Sequence, residues 1–209
     1  MTRTAGEIVE QAHLILQDDG TRWSPATLFK WIDEAQRFIA KVVPEAYART
    51  TTHRLSTGAE QQLPANATLL FRIVHDSNGR VPRVAVKRAL DALDPAWQGM
   101  AAQTVVRQYM LDEYEHRRFW VYPPNIGTDV VIEYQAKPSS VTDASSLLDC
   151  PDNFFTAVLD YVLYRAFDMD AEESANRELS QMHLVRASEH LGISPRAALN
   201  AVRKEQDHG

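Results

Sequence analysis

The chain has too few cysteines, glycine-rich turns and long apolar runs for several whole classes of function. Cys150 is its only cysteine, which excludes an intramolecular disulfide and any zinc site built on paired thiolates. With no nucleophile motif around it, Cys150 is expected to be a small buried or loop residue. A glycine-rich phosphate loop, a Gly-x-Ser-x-Gly elbow and a His-Glu-x-x-His helix are all missing. Charge interrupts each apolar stretch within a few residues, so none approaches the roughly 20 residues of a bilayer-spanning helix. The opening Met1-Thr-Arg-Thr-Ala-Gly-Glu7 leads into a charged amphipathic pattern rather than a signal peptide, so residence in a cytoplasm is expected. Lys and Arg total 22 against 28 Asp and Glu, a net charge of −6, and no dense basic run is evident. Such a surface is expected to repel DNA.

What is present is an order of parts. Over 209 residues with 44% apolar content, two amphipathic helices precede a long Thr-rich stretch of short strands, and two more helices and a short tail follow. Neither helical pair buries its stripe alone, so the ends are expected to meet in one bundle. Thr4-Ala-Gly-Glu7 has capping-box spacing, and Ile8, Ala12, Ile15 and Leu16 then share a face. Ser24-Pro25 places an N-cap before a proline at the first helical position. Leu28, Trp31, Ile32, Ala35, Ile39 and Val42 form the second stripe, which Pro44 closes.

Strands are expected over Thr50–Ser56, Leu69–His75, Val84–Arg88, Val105–Met110, Arg118–Tyr122 and Val130–Tyr134. Asp76-Ser-Asn-Gly79 supplies a tight turn. Pro123-Pro-Asn-Ile-Gly127 is expected to fold the last two strands into a hairpin, and Asp91–Trp97 to make a helical turn. After a Ser/Thr/Asp linker at Ser139–Ser146, Pro151 opens a third helix with Phe155, Leu159, Val162, Leu163, Ala166 and Phe167 inward. Phe154 and Val158 widen that stripe enough to suggest a second contact surface. The fourth helix, about Asp170 to His190, carries Ala175, Leu179, Met182 and Arg186 on one side and stops at Leu191-Gly192. The expected fold is therefore α+β: a helical bundle of about four helices with an antiparallel β-insertion and a short C-terminal tail helix. Its expected segments are an N-terminal helix pair (1–46), the β-rich insertion (47–138), a C-terminal helix pair (139–192) and a C-terminal extension (193–209).

Few residues suggest chemistry. His13, His53, His75, His116, His183, His190 and His208 have neither metal-ligand helical spacing nor a Cys/His cluster, so no cofactor and no metal is expected. The acidic Asp168-Met-Asp-Ala-Glu172-Glu173 suits the positive end of the fourth helix. Asp112–His116 reads as a solvated turn. Arg118-Phe-Trp-Val-Tyr122 reads as a core strand with one side on the bundle rather than as a base-stacking platform. Trp23 and Trp97, in expected loops, must plug a domain edge or meet a neighbour. Ser194-Pro195 caps a last helix whose Arg196, Arg203 and Lys204 imitate a DNA-reading helix, but Glu205 and Asp207 weaken the imitation. Its Ala198, Leu199 and Val202 suit a partner's groove, so deleting Ser194–Gly209 is expected to leave the thermal midpoint nearly unchanged.

Several segments, taken in order, resemble the adaptor (head-to-tail connector) proteins of tailed bacteriophages. They are Thr4-x-x-Glu7-Ile-Val, Gln17-Asp18 with Arg22-Trp23-Ser24, Leu28-x-x-Trp31-Ile-x-x-Ala35-Gln36, Arg118-Phe-x-Val-Tyr-Pro-Pro124 and Asp160-Tyr-Val-Leu-Tyr-Arg-Ala166. The resemblance implies a non-enzymatic virion structural protein, assembled from the host cytoplasm into a ring, twelvefold by family precedent, that docks on the portal protein. The ring would then carry a tail or nozzle protein, and DNA would pass its lumen without specific binding. It implies portal contact through Ser194, Arg196, Leu199, Val202, Arg203 and Lys204. Tail or inter-subunit contact falls to Trp23, Asn78, Gly79, Trp97, Pro123, Pro124 and Asn125. The alternatives are another neck ring protein, for head completion or tail termination, and a DNA-binding protein using the C-terminal helix.

Overall fold

The computed structural model of the chain describes residues 3–170 and 174–206, with side chains through Val202. The chain divides into two compact units, one made of Met1–Tyr47 with Pro138–Gly209 and the other of Ala48–Lys137. The first is helical and the second is β-rich.

In the helical unit, α1 (Ala5–Leu16) begins at Thr4, whose hydroxyl accepts from the Glu7 amide while the Glu7 carboxylate accepts from the Thr4 amide. Two further amides at this end are satisfied across the chain: Ala5 donates to the Ser146 carbonyl at 2.9 Å and Gly6 to that of Ala144 at 3.0 Å. A Cβ on Gly6 would sit 3.0 Å from that Ala144 oxygen, so the close approach requires glycine. The expected linker at Ser139–Ser146 is thus a strap over the start of α1. Ile8 and Ala12 are buried as expected, but Ile15 is 50% exposed; Ala5 and Val9 complete the inner face.

Ser24 caps α2 (Pro25–Val42), with Pro25 at its first position. Leu28, Trp31, Ile32, Ala35 and Ile39 are all buried, and Trp23 meets Trp31 with ring centroids 5.2 Å apart. Buried Gln36 accepts from the Asp149 amide at 2.8 Å and donates to the Ser139 carbonyl at 3.3 Å, tying the strap to α2. The third bundle helix, α4 (Phe155–Met169), packs against α1, α2 and α5 (Ser174–His190). Val158 is fully buried and Phe154 packs on the same core. The surplus apolar surface of α4 is therefore consumed inside the bundle.

The inner face of α5 differs from the expected one. Ser180, His183, Leu184, Ala187 and Ser188 are buried, whereas Ala175, Leu179 and Arg186 are exposed and Met182 half-buried. The reason is polar burial. His183 Nδ1 lies 2.8 Å from Asp160 Oδ1 on α4, its ring stacks on Phe167, and His190 Nε2 lies 3.4 Å from the other Asp160 oxygen. Gly192, with φ of +68°, stops the helix. Ser194 caps α6 (Pro195–Gln206), which packs on α5 and α2. Ala198, Ala201 and Val202 are buried, and Lys41 Nζ donates to the Ala201 carbonyl at 2.8 Å. The last helix belongs to the bundle core, contrary to the detachable tail expected from sequence.

The β-rich unit holds two sheets. One orders β1 (Ala48–Arg54), β7 (Asp129–Ala136) and β3 (Ala67–Asp76) with β7 central; the other orders β2 (Thr57–Gln62), β6 (Arg118–Ile126), β5 (Gln108–Leu111) and β4 (Arg83–Val84). All pairings are antiparallel except β4 with β5. Leu70, Ile73, Val130 and Ile132 of one sheet share a core with Tyr109, Phe119 and Val121 of the other. The aromatic strand Arg118–Tyr122 thus finds its core within this unit.

Two expectations fail here. Pro123 and Pro124 lie inside β6 rather than in a turn, and β6 and β7 join different sheets instead of forming a hairpin. The prolines are tolerated because the β2 ladder jumps from Glu60/Trp120 to Gly58/Asn125 and β5 pairing ends at Tyr122, so neither neighbour requires their missing amides. The strand expected over Val84–Arg88 shrinks to Arg83–Val84, because Lys87 begins α3 (Lys87–Leu93).

Two stability outcomes follow from the bundle. Trp31→Ala removes a ring that is 4% exposed and is expected to cost about 3–5 kcal/mol by denaturant unfolding. Deleting Ser194–Gly209 uncovers the core under Ala198, Ala201 and Val202, and should lower the thermal midpoint by roughly 5–10 °C. An unchanged melting curve would show that α6 contributes nothing to the bundle.

Candidate assembly surfaces

Burial separates the candidate contact residues into two groups. Trp97 is fully buried and donates from Nε1 to Asp91 Oδ1 at 2.8 Å; Trp23 is 9% exposed. Pro123, Pro124 and Asn125 are also buried. Asn125 Oδ1 accepts from the amides of Gly127 at 2.8 Å and Thr128 at 2.6 Å, fixing the corner where the chain changes sheet. These five residues plug and brace the interior, so none offers a neighbour free surface in this fold. Only Asn78 and Gly79 of that set are exposed. Their turn is held from within: Asp76 Oδ1 accepts from the amides of Asn78 and Arg80 at 2.9 Å each, and Gly79 takes the φ of +73° that an L side chain resists.

On α6, Ser194, Arg196 and Leu199 are exposed while Val202 is 5% exposed and faces the bundle. Val202 therefore anchors the helix instead of contacting a partner. The side chains of Arg203 and Lys204 lie outside the described residues, as do Glu172 and Glu173 of the acidic segment. Asp170 of that segment pairs with Arg22.

One surface feature is absent from the sequence-based expectations. In the β-rich unit a groove of about 380 Å³ runs between the β4–α3 segment and the β5–β6 turn. Its walls carry Val84, Val86, Leu111 and Tyr114, which are 66%, 63%, 40% and 86% exposed. Trp120 lines it, with Lys87 and Arg118 over its ring at 5.1 and 5.3 Å. No residue of α3 is buried, which is unusual for a helix that owes its stability to packing. The available signal is the segment Arg80-Val-Pro-Arg83-Val-Ala-Val-Lys87-Arg88, in which three valines alternate with four cations; the strand expected over Val84–Arg88 hid it.

The Tyr114 wall is rigid. Asp112 Oδ1 accepts from the amides of Tyr114 at 2.8 Å and Glu115 at 2.9 Å, and Oδ2 accepts from Arg118 Nε at 2.9 Å. The Glu115 and Tyr114 amides, then Arg118, hold this carboxyl down to about 2. The expected solvated turn is thus a braced one. On the helical unit, α1 exposes Leu14 at 78% and Ile15 at 50% beside Glu10, Asp18 and Asp19.

Among the described residues no group of three His, Cys, Asp or Glu side chains is placed to hold a metal ion. Burial pushes the Cys150 thiol up to about 11, which disfavours the thiolate. No helix among the described residues is long and apolar enough to cross a membrane.

Asp112→Ala is expected to lower the thermal midpoint at pH 7. Because the folded carboxyl titrates below its usual value near 3.8, its stabilisation is present above that value and disappears as pH falls through about 2. The difference between parent and variant should therefore shrink from pH 4 to pH 2. Melting curves at pH 7, 4 and 2 measure it, and a constant gap would contradict the assignment.

A family model described as SU10 adaptor protein matches residues 3–205. None of the curated proteins compared with it matches the chain.

Proposed function

The chain belongs to the SU10 adaptor protein family, whose members are structural phage adaptors, and we propose that it is the head-to-tail adaptor subunit of a tailed bacteriophage, forming a ring on the portal and a platform for tail components. The observation that carries the reading is the reach of the match. Residues 3–205 take in both units and nearly all of α6, so the assignment concerns the whole chain rather than one motif. The exposed apolar groove and the bare aliphatic end of α1 fit a protein whose surfaces are completed by neighbours. A net charge of −6 suits a lumen that DNA passes without adhering.

In this reading the outer face of α6, with Ser194, Arg196 and Leu199, meets the portal while Val202 keeps the helix on the bundle. The braced Asn78-Gly79 turn faces the tail protein or the adjacent subunit.

Mixing the purified full-length protein with the portal ring encoded by the same genome, followed by native mass measurement and negative-stain imaging, should show a symmetric ring added to the portal. An Arg196→Glu, Leu199→Asp variant should bind at least tenfold more weakly with an unchanged melting curve, since both side chains are exposed. Absence of added mass with folded parent protein under packaging-like salt overturns the portal reading. Salt-sensitive retention of duplex DNA by the parent, lost in the variant, would instead make α6 a DNA-binding helix.

A further inference from the structure

We propose that the groove of one subunit receives the Leu14–Ile15 end of α1 from the next, making this the repeating contact of the ring. The inference rests on the ring reading above and specifies its contact. A closed ring of identical chains requires two different faces that match each other. Among the exposed apolar groups of the described residues, the groove and the Leu14–Ile15 end of α1 lie on separate units and differ in the charge that flanks them.

The receiving feature is concave. Val84, Val86, Leu111 and Tyr114 line the groove, and about 380 Å³ falls in the range of small-molecule pockets, about 300–1,000 Å³, ample for two aliphatic side chains. Its acids are already matched: Asp91 by Lys87, Glu113 by Arg88 and Asp112 by Arg118. Arg83, beside Val84 on the edge strand β4, and Arg80, in the turn before it, have no acidic partner among the described residues. The groove therefore has apolar walls with paired charges between them, and two arginines without an acidic partner precede Val84 in the chain.

The inserted feature is acidic, and Leu14 lines a depression together with Glu10, His13, Gln17, Asp18 and Asp19. Leu14 and Ile15 project from the last turns of α1 at 78% and 50% exposure. Around them stand Glu10 and Asp19, which have no basic partner among the described residues, and Asp18, which accepts from the Arg22 and Trp23 amides. Seating this end in the groove buries the aliphatic pair against the valines and Tyr114 and brings unpaired carboxylates to unpaired guanidiniums. Charge complementarity at such a rim selects the register and the partner face. A phosphate backbone is a poorer occupant, because the groove walls are largely apolar and three of the nearby cations, Lys87, Arg88 and Arg118, are already paired.

The test uses full-length chains in a Cys150→Ala background. Leu14→Cys chains and Val86→Cys chains are mixed, assembled on the cognate portal ring and treated with a short bismaleimide. The expected product is a covalent dimer that requires both variants together, with Val81→Cys, outside the groove, giving at least fivefold less when it replaces Val86→Cys. Arg83→Glu should lower ring yield at least tenfold, and combining it with Asp19→Arg should restore most of that loss. Rings of normal mass with no 14–86 product overturn this contact while leaving the ring reading intact. Failure of the parent chain to form any ring removes both. Duplex binding by the parent that Arg83→Glu abolishes, without a 14–86 product, would make the cationic strip a DNA contact instead.

Discussion

The structure depends on burying α4 on several sides at once. Val158, Val162 and Leu163 are 0–1% exposed and Tyr161 and Ala166 are nearly so, which makes α4 apolar around most of its circumference. Such a helix is stable only when surrounded. α5 follows it directly, but α1 and α2 precede it in the sequence by the whole of the β-rich segment. Closing so long an intervening segment costs only slowly more entropy with length, and the cost falls further when the segment folds on its own core. The strap at Ala144 and Ser146, bonded to the start of α1, and Gln36, bonded to residues 139 and 149, fasten the point where the chain re-enters the bundle.

That arrangement uses up nearly all the large aromatic rings. Trp23, Trp31 and Trp97 are interior, and Trp120 is 8% exposed beneath two cations. What remains for assembly is smaller and more scattered: valines and Tyr114 around a groove, aliphatic residues at the end of α1, and one side of α6. Internal carboxylates and amides give some of these surfaces fixed shapes. Asp76, Asp112 and Asn125 each accept neighbouring backbone amides at a turn or corner, so the Asn78 and Tyr114 projections are held before any partner arrives. Such preorganisation reduces the ordering cost of association. The inferred seating of α1 in the groove would add apolar burial to two surfaces that the isolated chain leaves wet.

Local signals were legible where the chemistry is local. The capping box at Thr4 and Glu7, the Ser24-Pro25 start, the stripe from Leu28 to Ile39, the Gly79 turn and the Gly192 stop each involve residues within a few positions of one another. The order of helices, strands and helices followed from their periodicity, as did the mixed α+β class. The misreadings have a common origin in partners distant along the chain. α5 conceals its inner face from an apolar pattern because His183 and Ser188 are buried through hydrogen bonds, the former to Asp160 twenty-three residues away. Pro123 and Pro124 looked like a turn because sequence does not reveal that neither flanking strand requires their amides. Of the contact candidates, Trp97 and Asn125 carried the right chemistry for an interface but spend it internally.

The sequence by itself determined the bundle helices, the starts of α1 and α2, the Gly79 turn and the Gly192 stop, and the need for both ends to share one core, because each follows from backbone preference and side-chain periodicity over a few residues. Tertiary structure alone decided which apolar groups stayed outside. Ile15 and Val158 both read as members of apolar stripes along the chain, yet one is 50% exposed and the other fully buried. The difference arises from what surrounds each helix: α4 packs against α1, α2 and α5, whereas Leu14 and Ile15 at the end of α1 are exposed. Exposure is a property of what packs nearby, and packing joins residues that no local pattern connects.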